Sequence, residues 1–227
     1  MIWTWLLFLI PPLLLGFWAQ AKVKGAFNKY SQVPAASGYT GADAARRILS
    51  MAGIRDVEVV QTNDFLGDHY DPTNKRLVLS SKVYGSPTVA ALGIAAHEAG
   101  HAIQHAKHYA PLHWRMSVVP MTQFASTILP FVILGGFFIP ALGLMAIKVA
   151  VLCYIVLAVF QVITLPVEFD ATKRAKIILS ESGMIQSDEA AGVNKVLDSA
   201  GLTYVAAFVA TLSTLAYYLF ILMGSRD

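Results

Sequence analysis

The stretch SVVPMTQFASTILPFVILGGFFIPALGLMAIKVAVLCYIVLAVFQVITL, residues 117–165, decides the architecture. Lys148 is its one charged residue. A helix that crosses a bilayer needs roughly 20 apolar residues, so the run is long enough for two. Pro140 divides it, which predicts a helical hairpin with spans at about 117–139 and 142–165. Outward from the hairpin lie two more runs of the same character, at about 2–19 and 202–223. The expected fold is a mainly α integral membrane protein in one domain. Four transmembrane helices would flank two hydrophilic segments, about 20–116 and 168–201, on the same side of the bilayer.

Composition agrees with lipid as a solvent for part of the chain. Hydrophobic residues make up 56% of it and charged residues 14%, against about 25% charged in soluble domains. Mean hydropathy is +0.57. The single cysteine, Cys153, excludes an intrachain disulfide and a Cys-rich zinc site, and it reads as a small buried hydrophobe. A net charge of +3 is too small to suggest a nucleic-acid partner. Of the 17 Lys and Arg residues, all but Lys148 and Arg226 fall in the two hydrophilic segments. The positive-inside rule makes that side cytoplasmic and turns both termini outward. Lys148, near the outer end of its span, can snorkel to the interface. Ala19-Gln20-Ala21 resembles a signal-peptidase site, but no Lys or Arg precedes the first run, whereas Lys22 and Lys24 follow it. Signal peptides have the opposite polarity, so the run reads as an uncleaved anchor.

The first hydrophilic segment predicts a loop over 31–41, a short helix over 42–51 closed by Gly53, and strands over 56–61 and 76–80. Residues 63–70 read as a connection or a second strand, followed by a turn at Asp71-Pro72-Thr73-Asn74. A long helix should start with Ser86 as its cap and Pro87 as its first residue, and end near His108. The second segment predicts two helices. One continues from the third span and ends near Gly183; the other starts after Ser187 and ends near Gly201.

The long helix contains His97-Glu98-Ala99-Gly100-His101, an HExxH motif. Residues four apart share a helix face, so two imidazoles can converge on one zinc ion. Glu98 can then face a water on that metal and take its proton as it attacks a carbonyl. The apolar turns before the motif, residues 89–96, place it on a buried helix, where charged groups need partners. A catalytic zinc takes three protein ligands. His105 cannot be the third, because it lies eight residues from His97, about 12 Å along the axis. His105 and His108 therefore read as structural or solvated. Glu168, in Pro166-Val167-Glu168-Phe169-Asp170-Ala171 just past the third span, is on the correct side of the membrane. Asp170 is its competitor, or a carboxylate that orients a histidine.

The runs Asp68–Pro72, Ala95–His105, Leu165–Ala171 and Ala200–Ala207 resemble the YugP-type neutral zinc metallopeptidases of bacteria over nearly the whole chain. The resemblance implies a zincin-like α+β region, one Zn²⁺ and a membrane-bound, gluzincin-type peptidase of the bacterial plasma membrane. It also implies Glu168 as third ligand. A more distant similarity links the chain to HtpX-type membrane peptidases. Their glutamate ligand is followed four residues later by aspartate, and here that position is Thr172.

The substrate is then expected to be a protein or peptide cleaved near the cytoplasmic membrane surface. Gluzincin-like sites hold peptides as an added strand, and the run containing Leu77 and Leu79 is the expected edge. His69 and Tyr70 are candidates for oxyanion stabilisation or substrate contact. An intramembrane protease of the site-2 type would need an Asp-Gly ligand motif, and the chain has none. A non-catalytic zinc scaffold, or a zinc hydrolase of a non-peptide amide, stands as the alternative.

Overall fold

The structure is a computed structural model that describes residues 2–63 and 67–224. Part of the predicted connection at 63–70 and Arg226 thus lie outside the described residues. The fold is mainly helical with a small sheet. The described elements run α1 (Ile2–Tyr30), α2 (Gly41–Met51), β1 (Glu58–Thr62), β2 (His69–Asp71), β3 (Arg76–Ser80), α3 (Ser81–Tyr84), α4 (Val89–Ala106), α5 (Ala110–Phe138), α6 (Gly143–Glu181) and α7 (Ser187–Gly224). A short 3-10 turn, Pro140–Leu142, joins α5 to α6. Helices α1, α5, α6 and α7 are each long and apolar enough to cross a membrane.

The chain divides into two compact units. The helical unit comprises Met1–Ala19, His113–Leu165 and Thr203–Asp227. It has a small buried cluster of Ala125, Leu129, Ala150 and Cys153. Small residues let α5 and α6 approach: a Cβ on Gly136 would lie 2.4 Å from that of Ala146. The Ser213 hydroxyl donates to the Phe8 carbonyl at 2.6 Å, tying α7 to α1. Lys148 is exposed.

The site-bearing unit comprises Gln20–Leu112 and Pro166–Leu202. Its larger core includes Ile48, Leu77, Leu79, Leu92, Leu179, Val193 and Leu197. Helix α2 starts with a capping box in which Thr40 and Asp43 satisfy each other's main-chain N–H groups. It closes on Gly53 in the left-handed region (φ 72°), as glycine favours. The sheet order is β1-β3-β2, with β1 parallel and β2 antiparallel to β3. β3 is therefore the central strand. Leu77 and Leu79 alternate inward and have no exposure, so they belong to the core and not to a peptide-binding edge. That corrects the expected edge: a short strand's place in a sheet depends on its partners, which its own residues do not reveal.

Helix α4 runs through the middle of this unit. It starts at Val89, capped by the Thr88 hydroxyl, which accepts from Ala91 N. The predicted Ser86–Pro87 start fails because the segment before α4 is bound to an extended strap. Ala35 N donates to Pro87 O, and Val89 N donates to Val33 O. A Glu189 carboxylate oxygen accepts from Ala36 N and thereby anchors the strap to the start of α7. Alanines and glycines along α4 allow close packing. A Cβ on Gly100 would lie 2.8 Å from Ala171 O on α6.

One helix end differs from expectation and another lies close to it. α7 continues through Gly201, which is not among the positive-φ glycines; a glycine stops a helix when it takes that conformation, as Gly183 does (φ 68°). At the other, α4 stops at a turn formed by His108 in the left-handed region (φ 51°). His108 N donates to His105 O, and Tyr109 N donates to Gln104 O. This is the Schellman pattern, with histidine where glycine is usual.

Candidate metal centre

His97 and His101 stand one turn apart on α4, their rings 4.8 Å apart and nearly perpendicular. Glu168 reaches them from α6, and its carboxylate is almost fully buried. Its Oε2 lies 3.2 Å from His97 Nε2 and 3.4 Å from His101 Nε2. Candidate ligand atoms from all three residues lie within 4.8 Å of one another.

The other imidazole nitrogens are engaged too. His97 Nδ1 pairs with the Thr172 hydroxyl at 3.2 Å, and His101 Nδ1 pairs with Gln104 Oε1 at 3.0 Å. The Gln104 amide donates to Val167 O and to Asp170 Oδ2, each at 2.8 Å. Arg174 Nε donates to the same Asp170 oxygen at 2.5 Å, and its guanidinium lies over the Tyr109 ring. The structure thus brings His97, His101 and Glu168 together. Asp170 stands one layer behind them and reaches His101 through Gln104.

Donor identity and spacing fit a zinc ion. Two imidazoles and a carboxylate form a known catalytic set, and tetrahedral ligands at 2.0–2.1 Å from zinc sit about 3.3 Å apart. The two observed Nε2–Oε2 separations bracket that value. Electrostatics agree. Burial opposes charge on His101, but the hydrogen bond and charge of Glu168, with the charge of Glu98, outweigh it and hold the imidazole above its usual pKa. Burial also opposes charge on Glu168, yet hydrogen bonds and charges from His101 and His97 hold its carboxyl well below the usual range. The cluster therefore favours added positive charge, and metal binding would displace the protons that supply it.

Glu98, next to His97, is buried. Among the described residues, no hydrogen bond or ion pair engages its carboxylate. The other sequence candidates lie outside the three-residue cluster. His69 is exposed and donates from Nδ1 to Gly67 O at 2.7 Å. The Tyr70 hydroxyl pairs with His105 Nδ1 at 2.8 Å. Burial, with the charges of Asp56 and Asp71, pushes Tyr70 up to about 12, so it stays a neutral phenol. His105 thus pairs with the sheet, one turn beyond the cluster.

Gln104, Thr172 and Arg174 have no predicted role in the sequence reading. Their one signal is helical spacing: Gln104 lies three residues past His101, and Thr172 lies four past Glu168. Neither spacing says which of several neighbours a side chain will meet.

The sequence profile of a family described as "Putative neutral zinc metallopeptidase" matches residues 5–223. A Bacillus subtilis (strain 168) protein named "Putative membrane protease YugP" is 46% identical over 213 residues, covering 94% of each chain. No solved structure matches the chain.

Proposed function

The chain belongs to the neutral zinc metallopeptidase family, and from that premise we propose that it is a membrane-bound zinc endopeptidase acting at the cytoplasmic membrane surface. The observation that carries this reading is a buried Glu168 oxygen 3.2 and 3.4 Å from two imidazole nitrogens, close to the edge length of a zinc tetrahedron, beside the buried Glu98. His97 Nε2, His101 Nε2 and Glu168 Oε2 would hold the ion. A bound zinc would supply Lewis acidity and bring the pKa of a water close to 7. Glu98 would accept a proton from the attacking water and pass it to the departing amine nitrogen. The buried Glu168 carboxylate would offset part of the ion's charge. Thr172 and Gln104 hold the imidazoles with Nε2 turned inward.

The membrane assignment rests on surface chemistry. The helical unit exposes Phe131, Phe137 and many other large apolar side chains. Trp18 and Trp114 are exposed near one set of its chain boundaries, with Trp3 and Trp5 near the N-terminus. Aromatic belts at membrane interfaces have this composition. The YugP relative is itself named a membrane protease. The excess of Lys and Arg in segments 20–116 and 168–201 supports a cytoplasmic site.

Glu98→Gln tests the reading in purified, detergent-solubilised protein. Zinc content should stay at one ion per chain while peptide cleavage falls by about 10²–10⁴-fold. Undiminished cleavage would remove Glu98 as the base. A parent chain that binds zinc but cleaves no peptide would favour the scaffold or the non-peptide hydrolase.

A further inference from the structure

We propose that Gln104 is the positioning residue that fixes His101 as a metal ligand, through an amide relay anchored on Val167 and Asp170. The inference rests on the metal-centre reading above and goes beyond it by assigning the group that sets the histidine's tautomer. Gln104 has no exposed surface. On one side its amide meets the Val167 carbonyl and the Asp170 carboxylate, both at 2.8 Å. A carbonyl and an ionised carboxylate only accept, so the end of Gln104 that faces them is the NH₂. Its carbonyl oxygen is thereby turned to His101 Nδ1, 3.0 Å away. That oxygen also only accepts, so Nδ1 carries the hydrogen. In neutral His101 the lone pair is then on Nε2, the atom that faces Glu168. Arg174 holds Asp170 in place from the next turn of α6.

Metal-binding histidines commonly donate their second N–H to a carboxylate, a carbonyl or a water. An amide differs because it must itself be oriented, and here two acceptors orient it. A carboxylate at position 104 would put negative charge against the Val167 carbonyl and the Asp170 carboxylate. The relay thus predicts that Gln104→Glu weakens zinc binding, although the variant keeps an acceptor for His101.

The test uses the full chain in detergent. Zinc affinity is measured by competition with a chromophoric chelator, and the His101 tautomer by ¹⁵N NMR of the zinc-loaded protein. The parent should show a single Nδ1–H form. Gln104→Leu and Gln104→Glu should each lose about 10–100-fold in zinc affinity, with a mixed tautomer in Gln104→Leu. Asp170→Asn, at a partly exposed side chain, guards against a variant that fails to fold. An amide there can donate, so Gln104 can turn over, and a smaller loss with partial tautomer mixing is expected. Unchanged affinity and tautomer in these variants would overturn the proposal. Lower affinity with an unchanged tautomer would also overturn it, by reducing Gln104 to packing. A parent that binds no zinc would defeat the metal-centre reading instead, whereas a parent that binds zinc with these variants unchanged would defeat the role of Gln104 alone.

Discussion

The two units use apolar residues in opposite ways. In the site-bearing unit, Leu77, Leu79, Leu92 and Leu179 have no exposure and form a continuous core. In the helical unit, Phe137 is 78% exposed and Phe131 72%, while the buried cluster includes the small residues Ala125, Ala150 and Cys153. The first arrangement is what water imposes, because burying apolar area drives folding there. The second is what a lipid environment permits, since lipid tails are as apolar as the side chains. Helices there associate through close packing of small residues, as at Gly136 and Ala146. The comparison explains why a precise polar cluster sits in the unit with the dense core. A water-built core can lock the rotamers of His97, His101 and Glu168, and a catalytic site needs that fixity.

Truncation in the core should give the largest effect. Leu92→Ala should destabilise the site-bearing unit by about 2–5 kcal/mol, measured by denaturant unfolding in detergent. The matching change at exposed Leu134 should cost far less. Equal costs would break the contrast. Charge on the outer face of the helical unit should come next. Phe131→Lys should impair membrane insertion by about 2.5–3.5 kcal/mol if position 131 sits near mid-bilayer. A fractionation assay would read that as protein lost from the membrane. Met51→Lys, exposed on the other unit, should stay within about 0.5 kcal/mol. An insertion-neutral Phe131→Lys would argue that this face meets water or protein.

Close packing at the site gives a further test. Gly100→Ala would push a methyl group to 2.8 Å from Ala171 O. Separation of α4 from α6 should cost about 1–3 kcal/mol and weaken zinc binding with it, because Glu168 is on α6 and the histidines are on α4. Stable protein with unchanged zinc affinity would show that the two helices have slack. The smallest effect is a gain. His108→Gly should add up to about 1 kcal/mol by relieving the left-handed turn after α4, seen as a raised thermal midpoint. Gly53, closing α2 in the same way, shows the form expected there.

Sequence by itself carried the features that repeat along the chain or are local in it. Apolar runs of span length, the helical spacing of His97 and His101, and the turn at Gly53 need no distant partner to be read. The helical hairpin, the α4 helix and β3 were legible for that reason. Tertiary structure alone decided whatever depends on which segments meet. It made β3 central, so Leu77 and Leu79 are core. It bound Pro87 to the strap and moved the start of α4 to Val89. It carried α7 through Gly201, and it set Asp170 behind Gln104 instead of against a histidine. Glu168 lies 71 residues from His97. The sequence could nominate it as a carboxylate on the same side of the membrane, but only the packing of α6 on α4, at the glycine that lets them approach, brings its oxygen to 3.2 Å from the imidazole.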